Sequence, residues 1–212
     1  MSHLNRAHVV VLVALVAAAC SGAAASPSPS ISHVQTASPG GGGGPTTATI
    51  ETPLGNIVIA LSPKSAPIAT ANFVKLTEAG YYQGVVFHRL VPGFIIQTGD
   101  GQYGKTGAYD AAHVGQGGPG YTIKDEPVLG DYVRGVVAMA RTRAPDSQGS
   151  QFFICLADLT ERLDKAGGYV IFGRVISGME VVDAIAAGPN GGGDANLALE
   201  PVPMIRVTIS QP

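Results

Sequence analysis

Residues 87–100 read FHRLVPGFIIQTGD and place one permanent cation, Arg89, inside apolar, strand-like sequence. His88 stands beside it, with Phe94, Ile95 and Gln97 just downstream. A guanidinium stays charged at any working pH and offers five donors and no acceptor, so its chemistry is hydrogen-bond donation rather than proton transfer. Successive strand residues point to opposite faces, so Arg89 cannot share a surface with His88 or Leu90. An unpaired buried charge is very costly. The guanidinium therefore needs either a structural carboxylate or a task.

Other constellations are weaker. Residues 99–106, GDGQYGKT, satisfy both G-x-x-x-x-G-K-[ST] and G-x-G-x-x-G, and a strand-like run precedes them. Phosphate cradling also needs a helix to begin at once. The sequence continues GAYDAAHVGQGGPG, which leaves at most six residues for one before Gly115. His88, Asp110 and His113 could be drawn as a metal set but lack helical or C-x-x-C spacing, so no metal or cofactor is expected. Ser150 with His88 lacks a nucleophile elbow. Cys155, within an FFIC run, reads as buried filler.

The elements that must position these residues are mostly short strands. TATIE and NIVIAL, joined by Pro53-Leu54-Gly55-Asn56, predict a hairpin over 47–61. A helix is expected from Ala66-Pro67 to Gly80, burying Ile68, Ala69, Phe73, Val74 and Leu76. Further strands are expected near 85–90, 94–98, 120–123, 134–140, 151–156, 169–175 and 203–210, with a short helix near 178–187. Many short strands and two helices point to a mainly β, closed antiparallel barrel.

A second segment, MARTRAPDSQGSQFFI at 139–154, decides what the first one resembles. Phe87, His88, Arg89, Pro92, Gly93, Phe94 and Gln97, followed by Ser150, Gln151, Phe152, Phe153 and Ile154, resemble the two signatures of the cyclophilin family of peptidyl-prolyl cis-trans isomerases. YVIFGRV at 169–175 and SGMEVVDAI at 177–185 follow in the family's order. The likeness covers about residues 47–210. It implies an eight-stranded barrel capped by two helices, and rotation of Xaa-Pro bonds without a cofactor.

Peptide-bond rotation costs about 18–20 kcal/mol because of C–N resonance. A donor that favours a pyramidal prolyl nitrogen, with an apolar seat for the ring, binds the twisted state better than either planar isomer. The resemblance assigns the donor to Arg89 and its orientation to Gln97. Phe94, Ile95, Phe153 and Leu163 wall the seat, and Tyr169 stands at its rim. Gln151 and the backbone of Ala140 and Arg141 hold the peptide, and His88 is counted with them. Phe87 and Phe152 are expected in the core. Three positions depart from the family: Ile95 replaces a frequent methionine, Tyr169 a frequent histidine, and Arg162 a common tryptophan. The last implies weak binding of cyclosporin. The loop 101–118 is longer than in bacterial members by roughly ten residues, and a cyclophilin-like proline-binding or holdase module remains the alternative to an enzyme.

Charge and the N-terminus bound the setting. Of 13 basic and 15 acidic residues only Arg6 lies in the first fifty, which leaves 12 basic against 15 acidic and no basic stripe for nucleic acid. Arg6 precedes an apolar run, Val9 to Ala19, too short to span a bilayer but suited to a signal peptide over 1–19. Val16-Ala17-Ala18-Ala19-Cys20 resembles a bacterial lipobox, which makes Cys20 the expected lipidation site and the cell membrane a partner. Cleavage after Ala19 or Ala25 would give a soluble secreted protein instead. Residues 21–46, rich in Ser, Pro and Gly, read as a flexible tether before a monomeric domain at 47–212. Its clients would be proline-containing polypeptides outside the cytoplasm.

Overall fold

The computed structural model describes residues 45–193 and 195–211. The expected signal segment, Cys20 and most of the tether lie outside the described residues. Strands β1 (Thr47–Thr52) and β2 (Gly55–Leu61) form the expected antiparallel hairpin, in register from Thr47↔Ala60 to Thr52↔Gly55. Helix α1 (Pro67–Glu78) follows, with proline in its first turn and Gly80 beyond its end at φ +69°. It buries Ala69, Phe73 and Leu76, and Phe73 meets Phe152 edge-on at 5.6 Å. Ile68, expected on that face, is 41% exposed. Its N–H and that of Ala69 instead donate to the two carboxylate oxygens of Glu126, each at 2.8 Å, which caps a helix whose own Ala66 offers no side-chain cap.

The remaining elements are β3 (Arg89–Val91), β4 (Ile95–Thr98), β5 (Val136–Met139), β6 (Phe152–Cys155), α2 (Thr160–Lys165), β7 (Ile171–Ser177), α3 (Met179–Ala186) and β8 (Arg206–Ser210). All eight strands join one antiparallel sheet in the order β3-β4-β6-β5-β7-β2-β1-β8. The mainly β, eight-stranded expectation is met; the closed ladder is not. β3 and β8 are its two edges. Between them run only isolated bridges and single hydrogen bonds, such as Val86↔Pro203 and Phe87 N–H to the Val202 carbonyl at 2.9 Å. Pro201 and Pro203 lack the N–H that a continuous ladder requires.

Three further corrections follow. There are three helices among the described residues, not two, because TERLDK winds one short turn-and-a-half with Glu161 bonded to Lys165. Residues 120–123 make no strand, only the bridge Ile123↔Gln148. Residues 85–88 contribute bridges rather than strand, and β3 begins at Arg89.

Alternation along the strands gives the sheet two apolar faces. The inner face gathers Ile50, Ile57, Phe73, Phe87, Phe152 and Phe172, all fully buried. The outer face of β4, β5 and β6 carries a second cluster of Ile95, Ala138, Phe153 and Cys155, closed by Tyr132 and Leu163. Each large side chain so buried contributes about 1.5–3 kcal/mol. The outer cluster is the one that matters for the site.

Candidate active site

Register assembles the site before any side chain is considered. Arg89 faces Gln97, Gln97 faces Phe153, and Phe153 faces Ala138, so one transverse row crosses β3, β4, β6 and β5 on the outer face. Directly opposed residues lie about 4.5–5.5 Å apart at Cβ, close enough to act together. The next row holds Val91, Ile95 and Cys155. Leu90, Ile96, Phe152 and Ile154 point the other way into the core.

Arg89 lies on the edge strand and is half-buried, which is how a guanidinium fits an apolar sheet. It takes part in none of the ion pairs among the described residues. Its Nε donates to the Ala195 carbonyl at 3.2 Å and one terminal nitrogen to Gln97 Oε1 at 3.4 Å. Burial lowers its pKa, against an opposing effect of Tyr169, and the neighbouring Arg162 charge adds to the lowering. An arginine keeps its charge through such a shift.

The amides continue from there. Gln97 Nε2 donates to Gln151 Oε1 at 2.9 Å, and Gln151 Nε2 donates to the carbonyls of Gly115 and Gly117 at 2.9 and 2.8 Å. Those carbonyls belong to the long loop, which wraps around a fully buried carboxylate. Asp100 accepts from the N–H groups of Gln102, Tyr103, Gly115 and Gly117 at 2.7–3.0 Å. A Cβ on Gly117 would collide with Asp100 Oδ1. The nucleotide-like GDGQYGKT pattern thus turns its amides onto the protein's own carboxylate and has none of these left for a phosphate.

The residues expected to wall a proline seat lie together. Ile95, Phe153 and Leu163 are buried together, Phe94 is half-buried beside them, and Tyr169 meets Phe153 edge-on at 5.4 Å. Ala140 N–H pairs with the Gln151 carbonyl at 2.9 Å. Arg141 is spent on the carbonyls of Thr142, Gly167 and Gly168, with its guanidinium 5.3 Å from the Tyr169 ring centre. A groove of about 630 Å³ shares Gln97, Gln151, Ala140 and Arg141 with the site and extends over Gly117 and Tyr121.

His88 is not brought to this face. It is 1% exposed, and neither ring nitrogen has a hydrogen-bond partner in the protein. Alternation turns it away from Arg89, under the loop at Gly115. Burial pushes its pKa down to about 4; the Asp100 carboxylate opposes this without prevailing, and the Arg89 charge adds to it. His113 pairs with Asp110 at 2.7 Å in the exposed loop, and no group of three metal-binding side chains occurs among the described residues. Ser150 Oγ bonds the Gly99 carbonyl at 2.6 Å rather than a histidine. Cys155 is fully buried, with its thiol pushed up to about 12 by burial. Residue reading passed over the role of Asp100, whose only sequence signal is its place at the head of a glycine-rich loop.

The family model described as cyclophilin type peptidyl-prolyl cis-trans isomerase/CLD matches residues 47–209. The chain belongs to that family. A probable peptidyl-prolyl cis-trans isomerase of Brucella suis is 41% identical over 160 residues, covering 74% of this chain and 79% of that protein. A peptidyl-prolyl cis-trans isomerase of Acinetobacter baylyi is 40% identical over 171 residues, covering 77% and 85%. The crystal structure of a Cryptosporidium parvum cyclophilin in the presence of the dipeptide Ala-Pro matches with a TM-score of 0.65 at 29% identity, over 78% of this chain and 99% of that one. The protein is a cyclophilin-type peptidyl-prolyl cis-trans isomerase, and the Arg89 row lies within the matched span.

Proposed function

We propose that this isomerase acts on Xaa-Pro bonds of proteins outside the cytoplasm, from a lipid anchor at Cys20, as a monomer spaced from the membrane by residues 21–46. The observation that carries the catalytic part is the Arg89–Gln97–Gln151 chain beside the Phe94, Ile95, Phe153 and Leu163 seat. The proline ring occupies the seat. Arg89 donates to the prolyl nitrogen as it pyramidalises, which removes the resonance that resists rotation. Gln97 fixes the guanidinium through Oε1. Gln151 and the backbone of Ala140 and Arg141 hold the segment that must stay still while the other side turns. No bond is made or broken and no proton moves.

The donor is a permanent cation flanked by amides, and His88 stays neutral down to about pH 4. An isomerisation assay on a proline tetrapeptide is therefore expected to give a kcat/KM that is flat between about pH 6 and 9. A bell-shaped profile would show that a titrating group takes part and would contradict the mechanism. For the anchor, lysates of cells producing wild type and Cys20→Ala are partitioned with detergent. Wild type is expected in the detergent phase and the variant in the aqueous phase; both in the aqueous phase would overturn lipidation.

A further inference from the structure

A second cation, Arg162, stands beside the apolar cluster. Arg162 lies on α2 with its guanidinium 4.0 Å from the centre of the Phe94 ring, so it stands on the wall of the proline seat. Along β4 this end is opposite to Gln97: Phe94 precedes the strand and Gln97 is its third residue, about 10 Å further at strand rise. Two neighbouring carboxylates are engaged elsewhere. Asp158 Oδ1 accepts from the Thr160 N–H and hydroxyl, and Glu161 is bonded to Lys165. Asp164, two residues along α2, joins no ion pair among the described residues. Arg162 joins no ion pair among the described residues, and neither does Arg89. The Arg162 charge reaches Arg89 and disfavours the Arg89 charge. A net-acidic domain thus presents a doubly positive rim around its proline seat.

We infer that Arg162 is a specificity residue that pairs with an acidic side chain adjacent to the substrate proline. This rests on the Proposed function for where the proline sits. Stacked on Phe94, Arg162 keeps its donors at the mouth of the seat, where a neighbouring Asp or Glu of the peptide can reach them. A lysine there meets like charge from Arg162 and Arg89 together. The site is open to water, so the discrimination is modest: about two- to fivefold per exposed pair. It acts on KM, because the carboxylate is held equally before and during rotation.

The test uses the full extracytoplasmic domain and three tetrapeptide pairs with Glu, Gln or Lys at each position flanking proline. Both kcat/KM and peptide Kd from NMR titration are read. Wild type is expected to rank Glu above Gln above Lys, with the spread in KM and lost in about 1 M salt. Arg162→Gln is expected to flatten the ranking, Arg162→Glu to reverse it and Arg162→Lys to restore it. The Glu-to-Lys ratio within each variant is the readout, so a general loss of activity does not obscure it. A wild-type protein indifferent to flanking charge, or a ranking that survives Arg162→Glu, overturns the inference. A charge-ordered Kd without any isomerisation would support it while contradicting the mechanism at Arg89.

Discussion

Arg89 shows how far one residue can be read without a structure. Its sequence setting poses a charge in a strand, and the edge position of β3 answers it: half-burial, a backbone acceptor and an amide in place of a carboxylate. Alternation alone turns His88, its neighbour, away from the peptide-holding face, and its burial agrees. Its buried ring gives a prediction with a definite sign. The unfolded ring titrates near 6.5 and the folded one at about 4. Between those values the unfolded chain binds a proton that the folded chain refuses. Stability therefore rises with pH across about 4 to 6.5 and is lost as pH falls through that window, by on the order of 3 kcal/mol in all. His88→Leu leaves no ring nitrogen unpaired and is expected to flatten this part of the curve, measured as urea midpoints at pH 7 and 4.5. An unchanged slope would assign the acid sensitivity to other groups.

At the scale of elements, the hairpin, α1 and α3 were legible because their start and stop signals are local: the Pro53-to-Asn56 turn, Pro67 in the first turn of α1 with Gly80 beyond its end, and Gly188-Pro189 after α3. The strand expected at 120–123 does not form, since GYTI has β-prone residues but its only pairing is the isolated bridge from Ile123 to Gln148. The edges of the sheet were hidden as well, because prolines at 201 and 203 act on a strand far away in sequence. Two long-range carboxylates illustrate the same limit. Glu126 caps α1 from 57 or more residues away, and Glu126→Ala is expected to lower stability by about 1 kcal/mol in urea unfolding, with activity retained. Asp100 organises the loop that anchors Gln151. Asp100→Ala strands four amide donors, each costing about 1–3 kcal/mol when buried without a partner. It is expected to raise the peptide KM severalfold through Gln151, beyond any loss of stability. A KM equal to wild type in the folded fraction would separate the loop from substrate binding.

For the whole molecule, one sheet serves two purposes by period-two alternation. Its inner face makes the core that α1 closes, and its outer face over β4, β5 and β6 makes the second apolar cluster, which we propose as the seat. Stability and catalysis therefore share strands but not side chains. Phe152→Ala is expected to cost about 3–5 kcal/mol of stability, whereas Phe153→Ala, the next residue on the same strand, should weaken turnover more than its cost to folding explains. The overall fold class was legible because this patterning runs the length of the domain. Whether the ladder closes was not, because closure depends on irregular segments at both edges.

The central claim is that Arg89 donates to a rotating prolyl nitrogen. Its most direct test is the isomerisation rate of wild type, Arg89→Ala and Arg89→Lys by NMR exchange on one proline peptide, with Kd from the same titrations. The account predicts a kcat lower by about 100-fold or more in Arg89→Ala, with Kd within a few-fold of wild type. Arg89→Lys should recover only part of the rate, for want of the planar fork. A rate in Arg89→Ala equal to wild type would contradict the account.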